Sequence, residues 1–316
     1  ARATWLATAI AALWVVHPLG VDAVAYVTQR STLLADGFLL FALLALVRAH
    51  AAARPNGWRL VTVVALAASM ASKEDAIVGP LLLVLYERAF LLPSWASLRP
   101  RWRWYAALAL PWFVLATCIA LGPANATVGF STYLPVTAWQ WLLTQAGVVG
   151  HYLRQAAWPD DLRGAYDWGI VPNVADALLP GALLLVLLGA TIVGWRRHPW
   201  WAWLGALFFL RLAPTSSVMP IVTEIVAERR AYLPMLLVLV PAVIGVARLG
   251  SRWLLAAVVT AAVVALALTT HRRVAVYETP VAFWADAWSK ADPDSRTFVA
   301  GMILTNRGDA LLAQGQ

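Results

Sequence analysis

Charge is scarce in this 316-residue chain: Lys, Arg, Asp and Glu together make up 13% of it, roughly half the share of a soluble domain. With 61% hydrophobic residues, an ordinary soluble enzyme is excluded, because such a chain would have to leave many apolar side chains in water. Cysteine is almost absent. The single Cys118 rules out a disulfide framework within the chain and carries no information on redox compartment. Also missing are a His/Cys cluster of metal-binding type, a glycine-rich phosphate loop and a serine nucleophile elbow. What remains is a polytopic membrane protein with eighteen Trp and a net charge of +8.

A spanning helix needs about 20 mostly apolar residues. Nine stretches approach this, near 2–16, 31–47, 58–72, 76–90, 105–122, 179–195, 200–212, 231–247 and 253–270. The third, fourth and seventh are short and need flanking polar residues to complete a span. With the N-terminus cytoplasmic, the inner side receives twelve Lys/Arg against the single acid Glu87, and the outer side twelve against fifteen acids. That asymmetry is the positive-inside signature, so the basic balance reflects insertion and nucleic-acid binding is not expected. Three outer segments are too long or polar to be simple connectors: 17–30, the loop 123–178 and the tail 271–316. Within the loop, 138–157 is semi-apolar and reads as interfacial or re-entrant.

Four places carry candidate chemistry. In Ser72-Lys73-Glu74-Asp75, Ser72 and Asp75 have capping-box form ahead of Ala76, which leaves Lys73 and Glu74 as unexplained ionisable groups at the outer interface. In 213–234, Glu224 and Glu228 would share a helix face, followed by Arg229 and Arg230. Either these acids and arginines pair with one another, or the guanidinium forks form an anion site suited to phosphate oxygens. In His17-Pro18 and Gln29-Arg30, the proline ends the first helix, and His17 reads most simply as a snorkelled interfacial residue. In Asp160-Asp161, an ordinary turn after Pro159 competes with a metal or base site.

The runs HPLGVDAVAYVTQRSTLLADGFLLFALL, SKEDAIVGPLLLVLYE, TSSVMPIVTEIVAERRAYLP and the tail ending NRGDALLAQGQ resemble, in order, bacterial membrane proteins with C-terminal tetratricopeptide repeats. That family is similar to the eukaryotic transmembrane-and-tetratricopeptide O-mannosyltransferases. The resemblance implies an all-α, GT-C-like bundle of membrane helices over 1–273, with about nine spans in this chain. From 274 to 316 it implies a linker and the first, partial repeat, a helical hairpin of the kind that stacks on further repeats. The implied activity is transfer of a hexose, mannose among the candidates, from a polyprenyl-phosphate donor to a protein hydroxyl on the outer face of a bacterial inner membrane. A noncatalytic scaffold presenting the repeats is the alternative; a transporter is disfavoured, since ionisable residues cluster at span ends apart from Asp36 and Arg211.

By the same resemblance Lys73, Arg229 and Arg230 would bind the donor phosphate, supported by Glu74, Glu228, Tyr232, His17 and Arg30. Relatives often differ at Arg230. The chain opens on ARATW without an initiator Met and reads as a fragment whose catalytic acidic pair lies upstream of Ala1, so this piece alone is expected to be inactive. The residues present no metal-ligand set, and the resemblance implies no cofactor beyond the polyprenyl-phosphate sugar, which is the donor substrate, and does not specify a divalent metal. Expected partners are the bilayer, the lipid-linked sugar and a protein acceptor gripped by the repeats.

Overall fold

The structure, a computed structural model, describes residues 2–122, 136–218, 221, 223–295 and 297–315. Among them there are helices and no strand. In chain order these are α1 (Arg2–Val15), α2 (Val21–Ala25), α3 (Arg30–Ala51), α4 (Asn56–Ser72), α5 (Gly79–Tyr86), α6 (Trp102–Ala109) and α7 (Pro111–Leu121). They continue with α8 (Ala138–Ala157), α9 (Val174–Arg197), α10 (Pro199–Ala213), α11 (Leu236–Arg248), α12 (Arg252–Val274), α13 (Pro280–Ser289) and α14 (Phe298–Leu312).

Four continuous helical stretches are long and apolar enough to cross a membrane: Val27–Ala51, Trp95–Leu121, Val174–Arg197 and Arg252–Tyr277. A fifth possibility is the pair Arg2–Val15 and Pro18–Ala25, bent by 56° where Pro18 interrupts the ladder. The remaining sequence stretches form shorter or composite helices. Residues 76–90, for instance, are α5 between a tighter turn, Glu74–Val78, and a wider one, Glu87–Leu91. Local chemistry explains the boundaries. Ser251 accepts the Leu254 amide at 3.2 Å to start α12, whose last turn places His271, Arg272 and Arg273 at the negative end of the helix dipole. Thr137 and Gln140 form a reciprocal capping box that starts α8.

The chain forms two compact units. Unit 1 draws its described residues from 1–27, 127–184 and 216–316, and unit 2 from 28–126 and 185–215. In unit 1, α13 and α14 form a helical hairpin around Ala287, Val299 and Ile303, with Trp284 and Trp288 packed against them. In unit 2, α3 packs along α4, and Ser69 Oγ donates to the Ala35 carbonyl at 2.7 Å. Residues 123–135 of the loop 123–178, Met219, Pro220 and Val222 of the 213–234 stretch, and Arg296 and Gln316 of the tail lie outside the described residues.

Close packing in unit 2 requires one glycine. A methyl group on Gly205 would lie 2.0 Å from Thr191 Oγ1 and 2.9 Å from Thr191 Cβ, so rotating the threonine does not clear it. Gly205→Ala should therefore lower stability by about 1–3 kcal/mol, and adding Thr191→Ala should recover part of the loss. Thermal unfolding in detergent, with the two single variants and the double, reads the coupling.

Candidate functional site

Unit 1 gathers the segment that begins at His17-Pro18 and the 224–232 part of the 213–234 motif into one buried charged cluster. His17, at the bend after α1, is buried; its Nδ1 accepts the Leu19 amide at 3.2 Å and starts a short turn, so the snorkelled placement is corrected. The following helix α2 buries Asp22. Its Oδ2 accepts both the backbone amide and Nη1 of Arg229, each at 3.1 Å, across 207 residues of sequence. The other arm of the Arg229 fork, Nη2, pairs with Glu224. Arg230 instead donates to backbone: Nη1 to the Ile225 carbonyl at 3.0 Å and Nη2 to the Glu224 carbonyl at 2.7 Å. Tyr232 packs its ring on Trp14, with centroids 4.8 Å apart, and Trp14 Nε1 donates to the Tyr232 carbonyl.

The shared helical face expected for Glu224 and Glu228 is not present. Glu224 lies in non-helical chain and Glu228 opens a short turn, Glu228–Ala231. Two causes act together. The segment is rich in β-branched Ile221, Thr223, Ile225 and Val226. Its backbone is also bound by α8, where Gln145 Nε2 donates to the Ile225 carbonyl at 3.3 Å and Tyr152 Oη accepts the Ala227 amide at 2.9 Å.

Glu228 is the other buried centre of unit 1. Its Oε1 accepts the Arg163 amide and the Tyr166 hydroxyl, each at 2.6 Å, and faces Arg273 Nη2 at 3.5 Å. Oε2 of Glu228 and Oδ1 of Asp22 are buried without a hydrogen-bond partner among the described residues. Burial, the dominant cause, pushes the Glu228 carboxyl up to about 7; the neighbouring Asp22 carboxylate adds to the rise, while Arg273, Tyr166 and the Arg163 amide oppose it. Arg163 also donates to the Lys290 carbonyl, Lys290 Nζ donates to the Leu162 carbonyl at 2.7 Å, and Arg273 pairs with Asp286 at 3.0 Å. The helical hairpin is thus pinned to the loop that precedes α9. Asp160 and Asp161 pair with Arg154 and Arg163, in a turn where Asp161 has φ +49°.

In unit 2 Ser72-Lys73-Glu74-Asp75 is arranged differently from a capping box. Ser72 Oγ donates back to the Ala68 carbonyl at 2.7 Å, and Asp75 pairs with Arg211. Arg211 is a buried fork, with Nη2 on Asp36 at 2.6 Å and Nη1 on Asp75 at 3.2 Å. Lys73 Nζ donates to Thr32 Oγ1 at 2.6 Å and lies 3.9 Å from Asp75. Glu74 and Arg30 are exposed. The nominated residues therefore divide: His17, Glu228, Arg229, Arg230 and Tyr232 meet in unit 1, whereas Arg30, Lys73 and Glu74 belong to unit 2.

Sequence reading missed Asp22 and Tyr166, and noted Asp36 and Arg211 only as misplaced charges. Asp22 had one usable signal: an acid in the motif stretch directly after the first helix. Among the described residues no three His, Cys, Asp or Glu side chains converge as a metal site. Compared with known proteins, the chain matches no family model, no curated protein and no solved structure.

The raised Glu228 pKa has a consequence for stability. Between the ordinary value of 4.5 and about 7 the folded protein binds more protons than the unfolded chain. The stabilisation is complete below 4.5 and lost as pH rises through about 7. Thermal stability should fall across that window, and Glu228→Gln should flatten the slope. An unchanged slope in the variant would contradict the assignment.

Proposed function

We propose that the protein is a membrane glycosyltransferase that moves a hexose from a polyprenyl-phosphate donor to a protein hydroxyl on the outer face. The reading rests on the order of four motifs along the chain. The one observation that best supports it is the cluster of Asp22, Arg229 and Glu224, because ionisable groups buried in an apolar helical protein carry a cost that function commonly explains.

The fork of Arg229 is asymmetric. Its Nη1 partner, Asp22, is buried, while its Nη2 partner, Glu224, has a side chain 39% exposed. A carboxylate at the surface occupies the position that a phosphate oxygen would take, and bidentate guanidinium geometry suits either anion. Glu224 is then a placeholder, displaced when the donor phosphate arrives, while Asp22 keeps the fork aimed. During transfer the bond from the sugar anomeric carbon to the phosphate oxygen breaks, a bond to the acceptor oxygen forms, and the acceptor proton passes to a base. Charge accumulates on the departing polyprenyl phosphate, and Arg229 offsets it. Arg230 holds the loop through its carbonyl contacts and is a positioning residue. The resemblance gives Lys73 a phosphate-binding role of its own.

The full set of nine spans, the bacterial inner membrane and the outward tail belong to the same proposal. So does a tetratricopeptide identity for the α13–α14 hairpin, which would hold the acceptor. A scaffold that only presents repeats is the second reading, favoured by the firm pinning of that hairpin through Lys290 and Arg273.

Membranes carrying the natural full-length protein should transfer a radiolabelled hexose from the lipid donor. Arg229→Ala and Lys73→Ala, tested separately, should each lower transfer at least about a hundredfold if the cation offsets charge in the transition state. Unimpaired transfer in both variants would remove the site assignment, and no transfer by the parent protein would favour the scaffold.

A further inference from the structure

Unit 2 has a second polar centre at the far end of α3 from Lys73. Thr32, which holds Lys73, and His50 lie eighteen residues apart on α3, about 27 Å at the helical rise and close to the thickness of a bilayer's hydrocarbon core. Around His50 lies a cavity of about 200 Å³ lined by Pro55, Arg59, Glu87, Arg101 and Trp104 over an apolar floor. It is smaller than the ~300–1,000 Å³ of drug-sized sites, which suits an ionic headgroup better than a nucleotide or an isoprenoid chain.

Its charges are arranged to leave cationic donors facing outward. Glu87 is fully buried, and both its oxygens are turned onto donors: Trp104 Nε1 at 3.2 Å and the Tyr105 hydroxyl at 2.7 Å, with Arg101 Nη1 3.6 Å away. His50 Nδ1 faces the Leu46 carbonyl at 3.1 Å, and its Nε2 lies 2.7 Å from Arg101 Nη1 and 3.2 Å from Glu87 Oε1. Arg101 is held through Nη1, on His50 and Glu87, and its side chain remains 36% exposed. Arg59 is exposed, stacked over Trp104 at 5.7 Å, and lies in the first turn of α4. That helix begins at Pro55, which lines the cavity and supplies no side-chain cap. Two guanidinium groups against one carboxylate leave a net positive charge, beside an aromatic ring of the kind that sits at headgroup depth.

We infer that this cavity binds the phosphate of an anionic lipid headgroup. Basic pockets between helices at a membrane face commonly do so. The shared chemistry is a phosphate group, whether it belongs to a lipid or is free in solution. The inference does not rest on the transferase reading, since it uses only unit 2 and the apolar length of α3.

The test uses the purified full chain in nanodiscs of phosphatidylcholine with and without phosphatidylglycerol, with retained lipid counted by native mass spectrometry after transfer to detergent. Phosphatidylglycerol should be retained by the parent. Its apparent affinity should weaken at least about tenfold in Arg59→Ala and in Arg101→Ala, and stay unchanged in Arg103→Ala, whose residue does not line the cavity. Arg59 is exposed, so its truncation leaves the fold intact, which a matching melting temperature verifies. A second arm adds inorganic phosphate to lipid-free protein. Stabilisation there that depends on Arg59, with no phosphatidylglycerol preference, would assign the site to free phosphate and overturn the lipid source. Retention that ignores both arginines would overturn the site itself.

Discussion

A charge removed from water into an apolar protein must find a partner of opposite sign, because an isolated buried ion costs several kcal/mol even after relaxation. This constraint organises the chain more than any helix propensity does. Arg211 draws Asp36 and Asp75 together in unit 2, and Arg229 and Arg273 bind Asp22, Glu224, Glu228 and Asp286 in unit 1. Each of these pairs except Arg229 with Glu224 and Arg273 with Asp286 joins segments that are distant in sequence. The helices supply apolar surface that any neighbour could cover. The ion pairs fix which neighbour and in what register, since each fork accepts carboxylates in one geometry only.

The same constraint explains what could be read from the sequence. Long apolar runs announced their helices: 253–270 became Arg252–Val274, and 31–47 became Arg30–Ala51. The tail's helix, turn and helix were legible from the Trp-rich run before the Lys-Ala-Asp-Pro-Asp turn and the Ala/Leu pattern after it. The run near 231–247 yielded a helix only from Leu236, because the turn at Glu228–Ala231 and Pro234 delay it. The i,i+4 spacing of Glu224 and Glu228 misled, since spacing says nothing when α8 side chains claim the backbone between them. Pairings such as Asp22 with Arg229 lie beyond any local pattern. An acid and a base can be nominated separately, but what joins them is the path of the chain.

Function adds a second layer to this pairing. Some buried charges have both arms of the fork on buried carboxylates and serve structure, as Arg211 does between Asp36 and Asp75. Others keep a partner or a donor group at the surface. Arg229 keeps an exposed partner in Glu224, and Arg101 keeps a partly exposed side chain at the mouth of a cavity. That distinction separates an ion pair which holds the fold from one that a ligand can enter. In unit 2 it also separates the Lys73 end of α3 from the His50 end, two polar centres divided by about one bilayer core.

In the proposed site, donor binding turns on Glu224 yielding its place on the Arg229 fork to a phosphate oxygen. This is tested by equilibrium binding of a short-chain polyprenyl phosphate to the purified chain, parent against Glu224→Gln. A placeholder competes with the ligand, so its neutral replacement should bind the phosphate more tightly, by roughly three- to tenfold if one surface-exposed charge-assisted contact is relieved. Equal or weaker binding in Glu224→Gln would show that the Arg229 fork serves the fold alone.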